Sequence, residues 1–212
     1  MTAPAGLHVR HNKIEGIGPW LWPQTDFWGW RHPKGEFCEL RDLILREARP
    51  PGPRHIVQAG GCCGMYPRLF AEVFERVTTF EPEPVNFYCL VANCPSERIV
   101  KLQAALSDVP RLVSIENPWR SFNVGSGAIG EAPGQIPALR LDDFGFDCLA
   151  AIQLDCEGHE AAIIAGALKT IERHRPVIAI ETPTRELCAT LAEYGYREVG
   201  RCGTMPDVVF AA

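Results

Sequence analysis

The sequence predicts an α/β fold in which a single, mostly parallel sheet carries helices on both faces and ends in an antiparallel C-terminal strand. Three observations lead there. From residue 54 onward, short apolar runs alternate with segments of helical spacing, the layout that builds parallel sheets. A glycine-rich turn, Gly60-Gly61-Cys62-Cys63-Gly64, joins the first of these runs to the first helix that follows. The 212 residues, 46% hydrophobic and 22% charged, suffice for one domain with a sizeable core and are too few for two ordinary ones.

Residues 1–50 read as a Trp-rich arm and a helix, and residues 54–212 as the core. Four of the five tryptophans fall between residues 15 and 35, in a stretch with too much Gly and Pro for a long helix, which predicts an irregular arm or a pair of short strands. A helix follows from Glu36 to about Arg49, with Phe37, Leu40 and Ile44 on one face and Pro50, Pro51 and Pro53 ending it. Strand one is His55 to Gln58, and Met65 to Glu75 is a helix. Val77 to Glu81 is strand two, Pro84 to Asn93 a helix, and Arg98 to Leu106 strand three. An insert at 107–143 has a Gly- and Asn-rich centre, residues 123–134, that is expected to be a loop, and loops of that length often carry function. Strand four runs from Leu149 to Asp155, a helix from Gly158 to His174, and strand five from Val177 to Glu181. Thr184 to Tyr194 is a last helix with Gly195 as its C-terminal stop, and two strands close the chain at 197–199 and 207–210.

Composition removes several classes of function. A net charge of -5 gives no global attraction for nucleic-acid phosphates. No apolar run reaches the length of a membrane span and residues 1–11 lack a long apolar signal core, so a cytoplasmic protein is expected. Nine cysteines, an odd number with no C-x-x-C pair, read as reduced thiols. His159-Glu160 lacks the second His of H-E-x-x-H, and no metal is expected.

The glycine turn places a tight backbone where a ligand approaches a helix start. It lacks both the G-x-G-x-x-G spacing and the Gly-Lys-Ser/Thr of a phosphate loop. Glu81, ending strand two, offers a carboxylate that can accept both hydrogen bonds of a ribose diol. Together they describe a nucleoside cofactor without phosphates, and S-adenosylmethionine fits best. The run Gln153-Leu154-Asp155-Cys156-Glu157-Gly158-His159-Glu160 follows strand four and faces the same crevice. His159 has an ordinary pKa near neutrality and is a candidate base; Asp155 can orient an acceptor or the base, or hold the cofactor's amino-acid part.

With V-Q-A-G-G-C-C-G, F-E-P-E-P with Asn93 closing the next helix, R-L-D-D-F, L-D-C-E-G-H-E and R-P-V-I-A-I-E, residues 54 to about 200 resemble the FkbM-like family of S-adenosylmethionine-dependent methyltransferases. The resemblance implies a Rossmann-like class I methyltransferase that O-methylates a hydroxyl of a sugar, glycan or small natural product. The family commonly shows D-x-G-A-N-x-G in the first motif; here Gln58 replaces the Asp and Cys62 the Asn, and both departures are expected to touch the cofactor pocket. The expected cofactor set is Gln58, Gly60, Gly61, Cys62, Gly64, Glu81, Pro82, Ala105 and Asp155, and the expected catalytic pair is Asp155 and His159. Trp28, Trp30, Asn123 and Glu157 are the expected acceptor contacts, with the arm and the insert roofing the crevice, while Trp20 and Trp22 read equally as packing. Asp26 and Arg31 would fix a substrate if the arm is a lid. Two alternatives stay open: a cofactor-binding interaction module, suggested by the charge missing at Gln58, and a nucleic-acid methyltransferase, since Asn117-Pro118-Trp119 resembles a base-methylating N-P-P-W motif without its second proline. The acceptor's identity and the oligomeric state are not specified by the sequence.

Overall fold

The computed structural model describes residues 8–14, 18–27, 34–48, 54–119, 122–203 and 207–212. An antiparallel hairpin, β1 (Val9–Ile14) and β2 (Gly18–Pro23), precedes α1 (Lys34–Glu47). The alternating part begins with β3 (His55–Ala59), α2 (Met65–Phe70), β4 (Arg76–Phe80), α3 (Pro84–Asn93) and β5 (Ile99–Leu102). The middle of the chain holds β6 (Ala105–Leu106), β7 (Arg111–Glu116), β8 (Ala128–Gly130), β9 (Ile136–Leu139) and a 3-10 turn at Leu141–Asp143. Then come β10 (Ala151–Leu154), α4 (Glu160–Ala165), α5 (Leu168–His174), β11 (Val177–Glu181), α6 (Arg185–Glu193), β12 (Arg197–Cys202) and β13 (Asp207–Ala211).

Seven strands form the main sheet in the order β12-β13-β11-β10-β3-β4-β5. The β10, β11, β3, β4 and β5 pairings are parallel, and β13 runs antiparallel to both of its neighbours. Chain order reverses between β3 and β10, which makes their carboxyl ends the topological switch point where open α/β sheets take ligands. Side-chain alternation sorts the core. Val57, Ile152, Ile178 and Ile180 pack with Ile163, Ile171, Leu187 and Leu191 of α4, α5 and α6 on one face. Ile56, Val77, Ala179 and Val209 pack with Leu40 and Ile44 of α1 and with Phe70 and Phe74 on the other.

Several expected boundaries move. The strand expected at 98–106 splits: β5 stays in the main sheet, whereas β6 leaves it and pairs with β9. The insert keeps turns and loop through most of its centre, 123–134, but is not structureless. It folds as a second sheet in the order β6-β9-β7-β8, and Pro137, which would break an interior ladder, sits beyond the two-residue β6. The helix expected at 65–75 stops at Phe70, and the one expected at 158–174 breaks at Gly166. A Cβ on Gly166 would stand 2.1 Å from the Ser107 carbonyl oxygen, so only glycine lets this helix end press against the chain leaving β6.

The hairpin is packed, not loose. Trp20 is fully buried and its indole N–H donates to the Cys63 carbonyl at 3.1 Å. Asn93, closing α3, accepts from Leu21 N at 2.7 Å and donates to the Leu21 and Cys63 carbonyls, each at 2.8 Å. Asp26 does not face a substrate: its two carboxylate oxygens accept from the Trp22 indole and from Val124 N, tying arm to insert. Trp28, Trp30 and Arg31 lie outside the described residues.

Candidate active site

A cavity of about 230 Å³ opens at the switch point, walled by the glycine turn, the ends of β4, β10 and β11, and the small sheet. The turn is stitched to the neighbouring strand, for Gly60 N and Gly61 N both donate to Phe80 O. Gly60 has φ of 85° and its Cβ position falls 1.8 Å from Asp155 O, so the loops after β3 and β10 touch only because no side chain stands there.

Gly60, Gly61, Cys62, Glu81, Pro82, Ala105, Asn123, Asp155, Glu157 and His159 all line this cavity, so nearly all of the expected site residues that are described come together. Two expected cofactor residues do not line it. Gln58 lies fully buried within β3, and its amide donates to Ala59 O and accepts from Thr79 Oγ1 on β4, so its departure from the family's Asp bears on the sheet interior and not on the cavity wall. Gly64, with φ of 97°, shapes the start of α2 and backs onto Cys94. β10 ends at Leu154, Glu157 adopts φ of 53°, and both Asp155 and Glu157 face the cavity. Among the described residues no three His, Cys, Asp or Glu side chains are arranged to hold a metal ion.

Glu81 is buried, and its carboxylate accepts from Cys62 N at 2.7 Å and from Glu83 N at 2.8 Å. Burial pushes its pKa up to about 7 against the opposing pull of those two hydrogen bonds. Asp155 is half-buried and held well above the usual carboxylate range, first by burial and then by Glu181, with which it shares a hydrogen bond. Glu160 accepts from Cys156 N at 2.8 Å and from Gly158 N at 3.3 Å, which fixes the turn that carries Asp155 and Glu157. His159 stands at the start of α4, its Nε2 3.0 Å from Ser107 Oγ; burial, then Arg111, lower its pKa below 6.5.

Sequence reasoning passed over Tyr66, Glu181 and Asp207, which line the same cavity. Glu181 ends β11 beside the Asp155 loop, and Asp207 opens β13 directly opposite Glu181. An acidic residue at or just after the ends of β4, β10 and β11 was the available signal. Asn117, the residue of the truncated base-methylating motif, builds a turn instead, donating to Asn123 O and accepting from Trp119 N.

Cys62 holds φ of 42°, a left-handed conformation that costs an ordinary L-residue about 1–2 kcal/mol and that asparagine tolerates better. Cys62→Asn is therefore expected to raise the melting temperature by roughly 1–3 °C in a thermal unfolding scan, and Cys62→Val to lower it.

A parallel sheet with this switch point, covered by helices on both faces, is the Rossmann-like fold of class I methyltransferases. The model of the methyltransferase FkbM domain matches residues 66–198, more than half of the chain, and the chain belongs to that family. The matched span holds Glu81, Asp155 and His159, and begins after the glycine turn. The chain is similar to the methyltransferase FkbM of Methylobacillus flagellatus KT, at 18% identity and a TM-score of 0.55, over 81% of this chain and 50% of that one. This chain thus spans half the length of that protein. It is also similar to a ribosomal protein L11 methylase of Lactobacillus delbrueckii subsp. bulgaricus, at 11% identity and a TM-score of 0.51, over 83% and 78% of the two chains. A third likeness is to the tRNA (uracil-54, C5)-methyltransferase of Pyrococcus abyssi, solved with S-adenosyl-L-homocysteine, at 12% identity and a TM-score of 0.50, over 96% and 44%. At these identities the likeness is one of fold. No curated protein matches the chain. No described helix is long and apolar enough to cross a membrane.

Proposed function

We propose that the chain transfers the methyl group of S-adenosylmethionine to a hydroxyl of a sugar, glycan or small natural product. The observation that carries this reading is the buried Glu81 carboxylate beside a turn free of bulky side chains, sharing one cavity with Asp155 and His159. The residues present fit the cofactor. Glu81 commits one lone pair of each oxygen to a backbone N–H and keeps the others for a vicinal diol, while Gly60 and Gly61 let a nucleoside lie against the backbone. When bound, S-adenosylmethionine supplies a methyl group on a sulfonium whose carbon–sulfur electron pair leaves with the sulfur.

The acceptor oxygen must be held in line with that methyl and lose its proton. Ser107 Oγ donates its single hydrogen to Asp108 Oδ1 at 2.9 Å, so its contact with His159 is one in which Nε2–H donates. That leaves Nδ1 as the free lone pair. With its pKa lowered, the ring is neutral at physiological pH, and His159 Nδ1 takes the hydroxyl proton and passes it to water. Asp155 orients the acceptor. Nine unpaired cysteines suit a reducing compartment, and we place the enzyme in the cytoplasm, acting as one methyltransferase domain.

Calorimetry tests the cofactor: S-adenosylmethionine and S-adenosylhomocysteine are expected to bind in roughly the micromolar range, and no heat with either overturns the reading. With cofactor saturating, kcat/KM for the acceptor is expected to fall as pH drops through a limb below 6.5, because protonation removes the base. His159→Ala is expected to lower kcat by about 100-fold and erase that limb; an unchanged acid limb assigns the proton elsewhere.

A further inference from the structure

We propose that Asp155, Glu181 and Asp207, together with the rings of Phe37 and Tyr66, bind an ammonium group carried by the methyl acceptor, so that the acceptor is an amino alcohol or amino sugar rather than a neutral one. This deepens the methyltransferase reading and rests on it. All five side chains line the cavity, and Glu181 and Asp207 stand on strands beyond β10, on the side away from Glu81. Strand order places Glu81 at the end of β4 and Asp207 at the start of β13, four strand spacings away, or roughly 19 Å. Asp155 and the glycine turn lie between them, so the acidic end sits on the acceptor's side of the switch point.

Three features of this end call for a cation. Asp207 is 7% exposed, and among the described residues no donor reaches its Oδ1; only its Oδ2 is engaged, by the Tyr66 hydroxyl at 3.1 Å. A buried carboxylate oxygen without a partner is costly, and this one lies on the cavity wall, where a ligand can supply the missing donor. Among the described residues no ion pair reaches Asp155, Glu157, Glu181 or Asp207, so this acidic cluster has no basic side chain paired with it. The Phe37 and Tyr66 rings meet edge to face at 4.7 Å and add apolar and π surface to the same end. An ammonium suits this mixture, because its N–H groups donate to several carboxylates while its carbon neighbours rest on the rings. Among the described residues no three acidic groups are close enough to ligate a metal ion, whereas an ammonium reaches carboxylates at the longer hydrogen-bond distance of about 2.8 Å and asks for less convergence.

The test uses the full chain saturated with S-adenosylhomocysteine and calorimetry with matched pairs: glucosamine against glucose, ethanolamine against ethylene glycol, and tyramine against 4-hydroxyphenethyl alcohol. At least one amine is expected to bind about tenfold or more tighter than its neutral twin. Asp207→Asn and Glu181→Gln, both near-isosteric, are each expected to reduce that preference by about fivefold while leaving affinity for S-adenosylhomocysteine within about twofold. Cooperative melting of both variants confirms that they fold. The proposal is overturned if no amine outbinds its twin, if the variants weaken S-adenosylhomocysteine instead, or if Mg²⁺ alone displaces the amine. A wild-type chain that gives no heat with S-adenosylhomocysteine fails the methyltransferase reading; the same amine pairs titrated without it then decide the ammonium site on its own.

Discussion

Glu81→Ala is expected to weaken S-adenosylhomocysteine binding by about 100-fold or more, measured by calorimetry at a pH above 7. Hydrogen bonds to a charged acceptor each contribute about 1.5–3 kcal/mol, and a ribose diol gives two of them, so even the lower figure for each reaches two orders of magnitude. The pKa of about 7 adds a sign. A diol donates to the ionised carboxylate, so wild-type affinity is expected to fall as pH drops through about 7, and Glu81→Gln should bind weakly at every pH. The same shift acts on the fold. A carboxyl group whose folded pKa is raised from 4.5 holds more protons when folded, so its contribution to stability is lost as pH rises through about 7. An affinity unchanged by Glu81→Ala would remove the carboxylate from the cofactor site.

Asp155→Ala is expected to lower methyl transfer by about 1000-fold while changing cofactor affinity by less than about tenfold, a difference under ~1.4 kcal/mol. Asp155 lines the cavity between the glycine turn and Glu181, on the side proposed for the acceptor. The substitution also relieves a like-charge contact that burial makes expensive, so the variant is expected to melt no lower than the wild type above neutral pH. Should it bind cofactor as poorly as Glu81→Ala, Asp155 is a cofactor ligand and the acceptor lies elsewhere.

The main sheet and most of the site were readable in the chain because they rest on local signals. Strand β11 and helix α3 have the boundaries expected of them, since Pro84 and Glu83 start that helix and an unbroken apolar run marks that strand. Glu81, Asp155 and His159 were found because each follows a strand whose carboxyl end faces the crevice. The strands of the insert went unread because they are short and set among Gly, Pro and Ser, while the pairing of β6 with β9 joins segments some thirty residues apart. Which way Gln58 points depends on its neighbour Thr79 across the sheet, and the company of Asp207 on the antiparallel register of β13 against β11. Both are tertiary facts that no window along the chain contains.

The Asn93 side chain joins two regions with different duties. One amide holds the hairpin through Leu21 and the glycine turn through the Cys63 carbonyl, to which Trp20 also donates. Shortening the chain at α1 would strip the Trp20 donor from that carbonyl and leave the Asn93 amide half-satisfied at the back of the turn. The N-terminal hairpin is thus no detachable appendage: it braces the turn from behind and carries Trp22 on the cavity wall, so trimming or nicking it would loosen the glycine turn from the side opposite Glu81.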